Sequence, residues 1–468
     1  MKAFVYTTNI KKDQYMDKAP LEMIAVDEAV KTYVLSRLPH ISYAEAREKL
    51  MEAGTLPIFP DFRYQEVIGI GGALTETSAA AYSNLDEDGK AALVEAYFDP
   101  EKGIGYSFGR CSLNSCDFST RDYIYVEEGD ETLESFSLKE EEKYVEPFLK
   151  DVLGKAEVSL FASPWSPPAF MKDTKKVIKG GKLLPEYYEV WADYVVKYIL
   201  AYREKGVNIT AVTIQNEPMA SQIWESCVYT AEDEAALIKS GFGKKLQDLG
   251  VDIYIWDHNK NSAYNRAKVV YDDPDAGKYV TGVAVHWYSG DHFDQLDMLS
   301  REYPDKKIIF TEGCCGSWMG KDKEAVRMNS AEKYGRELVH FFKNGGNGFT
   351  DWNMILDENH GPFHHREGDG LCDAPVFVDS KSKTFSMEPS FYYIGHFSKF
   401  VRPGAVRVGS SSFTEELENV AFKNVDGSVV MIILNRSERD HDATVVLKES
   451  VMKIKVEAHS VQTVVIRQ

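Results

Sequence analysis

Eight short apolar runs, alternating with stretches of helical character, occupy residues 67–356 and constrain the fold more than any other feature of the chain. They read VIGIGGAL (67–74), YSFGRCSL (106–113), VSLFAS (158–163), ITAVTIQ (209–215), DIYIWD (252–257), GVAVHWY (282–288), KIIFTEG (307–313) and NGFTDWNMIL (347–356). In EYYEVWADYVVKYILAYREKG (186–206), Tyr187, Trp191, Tyr194, Val195 and Tyr198 recur at helical spacing and form a core-facing stripe. A second helix is expected over 330–346, with Ser330 as N-cap and a glycine pair as its stop. Strands alternating with helices make parallel βα units. Eight such units are the inventory of a (β/α)8 barrel, here with insertions. A doubly wound sheet usually has fewer strands and a glycine-rich phosphate loop. Gly69, Gly71 and Gly72 do not complete G-x-G-x-x-G, so no dinucleotide is expected.

After residue 400 the pattern changes. AVRVGSSS, NVAFKN, SVVMIILNR, DATVVLKE, MKIKVEA and SVQTVVIRQ follow one another at short spacing, as the strands of a sandwich do. The N-terminal KAFVYTTN is a strand with no nearby partner, and this sheet is its natural acceptor. SYAEAREKLMEAG (42–54) reads as a helix ended by Gly54. The division expected is 1–64 for the first strand and a helical insertion, 65–395 for the catalytic barrel, and 396–468 for the C-terminal sandwich.

With 44% hydrophobic and 27% charged residues, the 468-residue chain is ordinary globular protein. A net charge of −19 argues against nucleic acid and anionic membranes as partners, since both require a basic face. The first twenty residues carry no signal-peptide pattern, and no run approaches a membrane span. A cytoplasmic location is the expectation, with the six cysteines reduced.

In a barrel of this kind the chemistry lies at the C-terminal ends of the strands. Those ends carry Glu76; Asn114, Cys116 and Asp117; Trp165; Asn216 and Glu217; Asp257, His258 and Asn259; His286, Trp287 and Tyr288; Glu312; and Asp351, Trp352 and Asn353. Carboxylates that grip hydroxyls and rings that cover C–H faces suit a sugar. Cleaving a glycosidic bond takes two carboxyl groups, one to protonate the leaving oxygen and one to attack or to activate water. Glu217 and Glu312, on the fourth and seventh strands, are the candidates. Pro218 is expected to hold Glu217 extended. Asp117 and Glu76 have a blander reading as partners of Arg110 or Arg121. His360, His364, His365, Glu367, Asp369 and Cys372 suggest a metal, but Gly361 and Pro362 make that segment a loop rather than a zinc-binding helix, so no metal is expected. Contact with the aglycone or a neighbouring subunit is the simpler role. Cys314 and Cys315 read as small buried residues.

GIGGALTETSA, SCDFS, SPWSPPAFMK, TIQNEP, HWY, FTEGC and DWNMILDENHGP, in this order, resemble glycoside hydrolase family thirty, the family of the glucosylceramidases. The resemblance covers about residues 64 to 468 and implies a (β/α)8 barrel with a β-sandwich built from both chain ends. It also implies a retaining mechanism without a cofactor. By it, Glu217 is the general acid/base and Glu312 the nucleophile. Asn216 contacts the 2-hydroxyl, Asp117 and Trp165 bind hydroxyls, and Trp352 borders the sugar. Tyr288 lies near the nucleophile, His286 and Trp287 shape the wall, and Arg110 sits under the nucleophile's strand. Arg110 or a tyrosine should lower the pKa of Glu312, leaving Glu217 protonated. Two departures stand out. Residues following the first strand, including 42–54, do not match. Where family members often carry a sugar-binding Asn, this chain has Asp369 and Gly370.

The expected partner is a β-linked glycoside or oligosaccharide, with neither nucleic acid nor an integral membrane involved and the oligomeric state open. The leading reading is a retaining exo-acting β-glycosidase, most simply a β-glucosidase. A β-1,6-glucanase or β-xylosidase is the alternative within the same chemistry, and a non-catalytic carbohydrate-binding protein is the alternative from another class.

Overall fold

The computed structural model describes residues 2–35, 40–52, 54–364 and 371–467. Two compact units emerge. One is 69–321 with 344–388, and the other is 1–68 with 322–343 and 389–468.

The first unit is a closed barrel of eight parallel strands. In chain order they are β1 (Gly69–Ala73), β2 (Phe108–Leu113), β3 (Ser159–Pro164), β4 (Ile209–Thr213), β5 (Asp252–Asn259), β6 (Gly282–His286), β7 (Lys307–Glu312) and β8 (Gly348–Asn353). All eight apolar runs became barrel strands. β1 is built from GIGGA, a poor strand sequence by propensity. Glycine is required there by close approach, since a Cβ on Gly71 would lie 1.7 Å from the Phe108 carbonyl oxygen of β2. Of the aromatic stripe, Trp191, Tyr194, Val195 and Tyr198 are buried on helix Tyr188–Glu204, as their spacing implied, whereas Tyr187 precedes that helix and is only half-buried. The eighth run was read as one strand over 347–356. It is two: after β8 the chain breaks at Met354, and Ile355–Asp357 pairs instead with Val376–Asp379 in a separate three-stranded sheet.

The second unit is the β-sandwich. Its ten strands include all six C-terminal runs. Lys2–Asn9 pairs antiparallel with Ser460–Arg467, so the two chain ends lie side by side. Three strands escaped the sequence reading, the shortest being Ile24–Ala25, which pairs antiparallel with Ser450–Val456. Gln14–Leu21 closes a hairpin with Lys2–Asn9. Thr55–Glu66 runs between Val406–Ser410 and His441–Leu447 although it contains Pro57 and Pro60. Proline normally argues against an inner strand. Here the register along Val406–Ser410 shifts twice, which accommodates it. Helix Tyr43–Glu52 buries Ala46 and Leu50 in a small core with Val26, Val30, Val446 and Val451.

The helix expected at 330–346 spans Lys323–Lys343 and belongs to this second unit. Ser330 is not its cap but a buried interior residue. Asp322 does the capping, its side chain accepting from the backbone N–H groups of Glu324 and Ala325. The apolar residues that signal this helix begin a turn after its true start. Among the described residues, no helix is long and apolar enough to cross a membrane.

Candidate active site

The strand ends of the barrel enclose a cavity of about 390 Å³ whose lining includes Asp117, Trp165, Asn216, Glu217, Tyr288, Glu312 and Trp352. Seven of the ten expected residues therefore share one wall. The other three are Arg110, His286 and Trp287.

Arg110 lies beneath that wall, fully buried on β2. Its Nε donates to Ser163 at 3.0 Å, one terminal nitrogen to Glu312 Oε2 at 2.7 Å, and the other to Asn216 Oδ1 and Asp257 Oδ2, both at 2.8 Å. One rigid fork thus sets the relative positions of four strand ends. The faces of Trp165 and Trp352 lie against the guanidinium, and the two rings stack with centroids 5.2 Å apart. Glu312, at the end of β7, also accepts from the Tyr288 hydroxyl at 3.0 Å.

The centre of the network is a residue outside the expected set, Asp257. It accepts from Arg110, from the hydroxyls of Thr213 and Thr311, and from His286 Nε2 at 2.9 Å. Burial opposes its ionisation, but Arg110 and His286 outweigh burial and hold the carboxyl far below the usual range. The only hint in the sequence was its place at a strand end. What turns it inward is a register shift in β5, where Trp256 (φ 72°) and Asp257 (φ 51°) both adopt left-handed backbone. Such strain persists where surrounding contacts enforce it, and it gathers at functional sites.

Glu217 corrects the expectation of extended backbone. Its φ is 45°, and its N–H bonds to the Asp257 carbonyl at 2.9 Å. The preference imposed by Pro218 is overruled by that bond to the neighbouring strand and by the turn in which Ala220 N–H reaches the Glu217 carbonyl. Glu217 Oε1 lies 3.3 Å from His286 Nδ1 and 3.5 Å from His258 Nδ1. Asp257, His286 and Glu217 thus form a relay across one imidazole.

The charge distribution also differs from expectation. Burial raises Glu312 above the ordinary carboxylate range, with His286 and Arg110 pulling the other way. Burial opposes ionisation of Glu217 as well, but His286, joined by His258, prevails and lowers it. Burial would lower His286, yet Glu312, Asp257 and Glu217 push it up to about 9. The shifts therefore favour the proton on His286 over Glu217, one hydrogen bond away. The expectation weighed two carboxyls against each other and left out the imidazole between Glu217 and Asp257. His258 is driven down to about 4, chiefly by burial, and is neutral.

Trp287 does not line the cavity. Successive residues of a strand face opposite ways, and while His286 meets Glu217, Trp287 packs against Phe310 and donates to the Cys314 carbonyl. Two other strand-end carboxylates are structural. Glu76 binds the Thr120 backbone and hydroxyl and pairs with Arg121 rather than Arg110. Asp351 is buried with neither oxygen hydrogen-bonded among the described residues, and burial drives its pKa well up, which disfavours the charged form. Ala220, Gln222, Trp224, His258, Asn259, Cys314, Trp318 and Cys372 complete the cavity without having been picked out as substrate contacts. Most sit in loops where no period marks a direction.

All six cysteines are free and buried, with Cys314 Sγ 3.3 Å from Cys372 Sγ. His360 faces the Cys372 carbonyl and Asp373. His364 reaches Asp122 and Glu225 instead. His365, Glu367, Asp369 and Gly370 lie outside the described residues.

Comparison with known proteins decides the family. The family model for the glycosyl hydrolase family 30 TIM-barrel domain matches residues 67–401, and that for the family 30 beta sandwich domain matches 404–464. The chain belongs to glycosyl hydrolase family 30. It is 33% identical to the lysosomal acid glucosylceramidase of Mus musculus over 420 residues, covering 83% of this chain and 79% of that one. It is 30% identical to an endo-1,6-beta-D-glucanase of Neurospora crassa over 416 residues, 84% of each chain. The crystal structure of SrfJ from Salmonella typhimurium superposes with a TM-score of 0.90 at 31% identity over the whole of both chains. This family 30 protein is a glycoside hydrolase, and its substrates are β-glycosides.

Proposed function

We propose that the protein is a retaining, exo-acting β-glucosidase working by double displacement. The observation that carries this reading is the opposite support given to two carboxyls lining one cavity. Arg110 and Tyr288 donate to Glu312, while Glu217 is joined to a protonated imidazole. Ionised Glu312 attacks the anomeric carbon as the glycosidic C–O bond breaks. Glu217 hands a proton to the departing oxygen, drawing on His286 Nδ1. With Glu312 esterified its charge is gone, and Glu217 with His286 takes a proton from water, which releases the sugar with its configuration retained. The Asn216 side-chain oxygen is engaged by Arg110, so its NH2 is the group left to meet a hydroxyl. The stacked Trp165 and Trp352 offer an apolar wall to a sugar face, and Asp117 offers an acceptor.

A second reading is supported by the mouth of the cavity. Trp318 is half exposed and Trp224 lines the same space, so two more rings are available to a second sugar. Together with the likeness to an endo-1,6-beta-D-glucanase, this makes a β-1,6-linked glucan the alternative substrate.

The test is initial rates on aryl β-glucoside, xyloside, galactoside and fucoside, and on β-1,6-gluco-oligosaccharides, for wild type and Glu312→Ala. Preference for the aryl glucoside, with turnover abolished in the variant, supports the first reading. Cleavage of oligosaccharides alone moves the glucanase forward. Sugar binding without turnover by the wild type would leave only a carbohydrate-binding role.

A further inference from the structure

Three side chains from three separate loops of the barrel unit converge away from the reacting carboxyls. Asp122 follows β2, Glu225 follows β4 and His364 follows β8. His364 Nε2 lies 2.8 Å from Asp122 Oδ1 and 3.2 Å from Glu225 Oε1, and the ligand atoms of the three residues all lie within 4.8 Å of one another. The other ring nitrogen, Nδ1, donates to the Ser119 carbonyl at 2.7 Å. That bond orients the ring and leaves Nε2 facing both carboxylates, which is how a backbone carbonyl commonly sets up a metal-binding imidazole. Glu225 is 2% exposed, and its second carboxylate oxygen, Oε2, is buried with no hydrogen-bond partner among the described residues. A buried carboxylate oxygen without a donor is costly, and a bound cation removes that cost.

We propose that Asp122, Glu225 and His364 bind a divalent cation of the zinc type beside the mouth of the sugar cavity. One imidazole nitrogen with two carboxylates is a donor set for a borderline transition metal, whereas calcium and magnesium prefer oxygen throughout. Zinc bonds of ~2.0–2.2 Å place neighbouring ligand atoms roughly 3–3.5 Å apart in a tetrahedron. The two distances from His364 Nε2 already approach that spacing. The Asp122 side chain is 44% exposed, so water has access to complete the coordination. The ion takes no part in breaking the glycosidic bond. It braces the rim: Trp224, which precedes Glu225, lines the cavity, and Phe363, which precedes His364, packs against Phe118, whose ring meets Trp352 edge-on.

The full chain, stripped with chelator, is titrated with Zn²⁺ in competition with a chromophoric chelator, and thermal unfolding is followed in parallel. The expected result is one saturable Zn²⁺ per chain and a raised Tm. Affinity should fall at least about tenfold in both His364→Gln and Asp122→Asn. Asp122 is exposed, so its variant folds and keeps the test decisive even if His364→Gln does not. A second possible ligand group, Glu217, His258 and His286, supplies the control. Binding lost in His258→Gln but kept in Asp122→Asn would put the ion among the reacting residues and overturn the proposal. So would the absence of saturable binding, which would leave His364 as a plain imidazolium clamp between two carboxylates.

Discussion

At the scale of single residues, Arg110 holds the site together. It is a buried cation shared by two carboxylates and an amide, and removing one partner of a buried ion pair costs about 3–5 kcal/mol because the other charge is left uncompensated. Arg110→Met should lower the unfolding free energy from urea denaturation by that order and abolish turnover. Replacing Asp257 and Arg110 together by apolar residues should cost less stability than either alone. The Glu217–His286 pair makes a prediction about pH. Glu312 must be ionised to attack, and its pKa lies above the ordinary carboxylate value, so kcat/KM falls as pH drops through that raised pKa. The shared proton is lost as pH rises past about 9, the value to which His286 is pushed, so the basic limb falls there. His286→Asn should move the basic limb, whereas His258→Asn, whose parent imidazole is already neutral, should leave it in place; pH profiles of both variants check this. Glu217→Gln should cost about 10²–10⁴-fold on alkyl glucosides. The loss should be much smaller on an aryl glucoside whose leaving group needs no proton.

At the scale of elements, the ends of strands and helices carry the information that their middles do not. The register shift in β5 is the element on which the site depends, because an unshifted strand would reverse the facing of the residues beyond it. The helix Lys323–Lys343 illustrates capping. Asp322→Ala removes the acceptor for two otherwise orphaned N–H groups and should cost about 1 kcal/mol, read as a shift in the urea midpoint without a change in slope. Ser330, which the sequence put forward for that role, is interior and cannot serve it.

At the scale of the whole molecule, each unit holds a buried titrating group outside the site, Glu141 and His396, and these two respond to pH in opposite senses. In the barrel unit, burial pushes the Glu141 carboxyl up to about 7 against the hydroxyls of Tyr125, Tyr202 and Tyr123. The folded state then binds the proton more tightly than the unfolded state, so stability is lost as pH rises from the unfolded value toward 7. Glu141→Gln should therefore stabilise the protein by about 3 kcal/mol at pH 8 relative to its effect at pH 4, taking ~1.4 kcal/mol per unit. In the sandwich unit, burial pushes His396 down to about 3, its ring nitrogens meeting the hydroxyls of Thr463 and Thr8. There the unfolded state binds the proton more tightly, and stability is lost as pH falls below about 6.5. Denaturant titrations at pH 4, 6 and 8 test both signs.

The sequence by itself determined the barrel, the sandwich, and the strand-end positions of Glu217 and Glu312. Those follow from period, from turn residues and from the rule that a parallel barrel presents its strand ends on one face, all of which are local or nearly so. Tertiary structure alone decided which way strand-end side chains face. Trp287 and Asp351 sit at strand ends as His286 and Glu312 do, yet they pack away from the cavity. Only the assembled ring could set Asp257 at the centre, because its partners Arg110, Thr213, His286 and Thr311 come from four other strands. Protonation was likewise beyond the sequence. It depends on distances of a few ångströms in a buried space, and a single imidazole between Asp257 and Glu217 is enough to move the proton from where two carboxyls alone would have kept it.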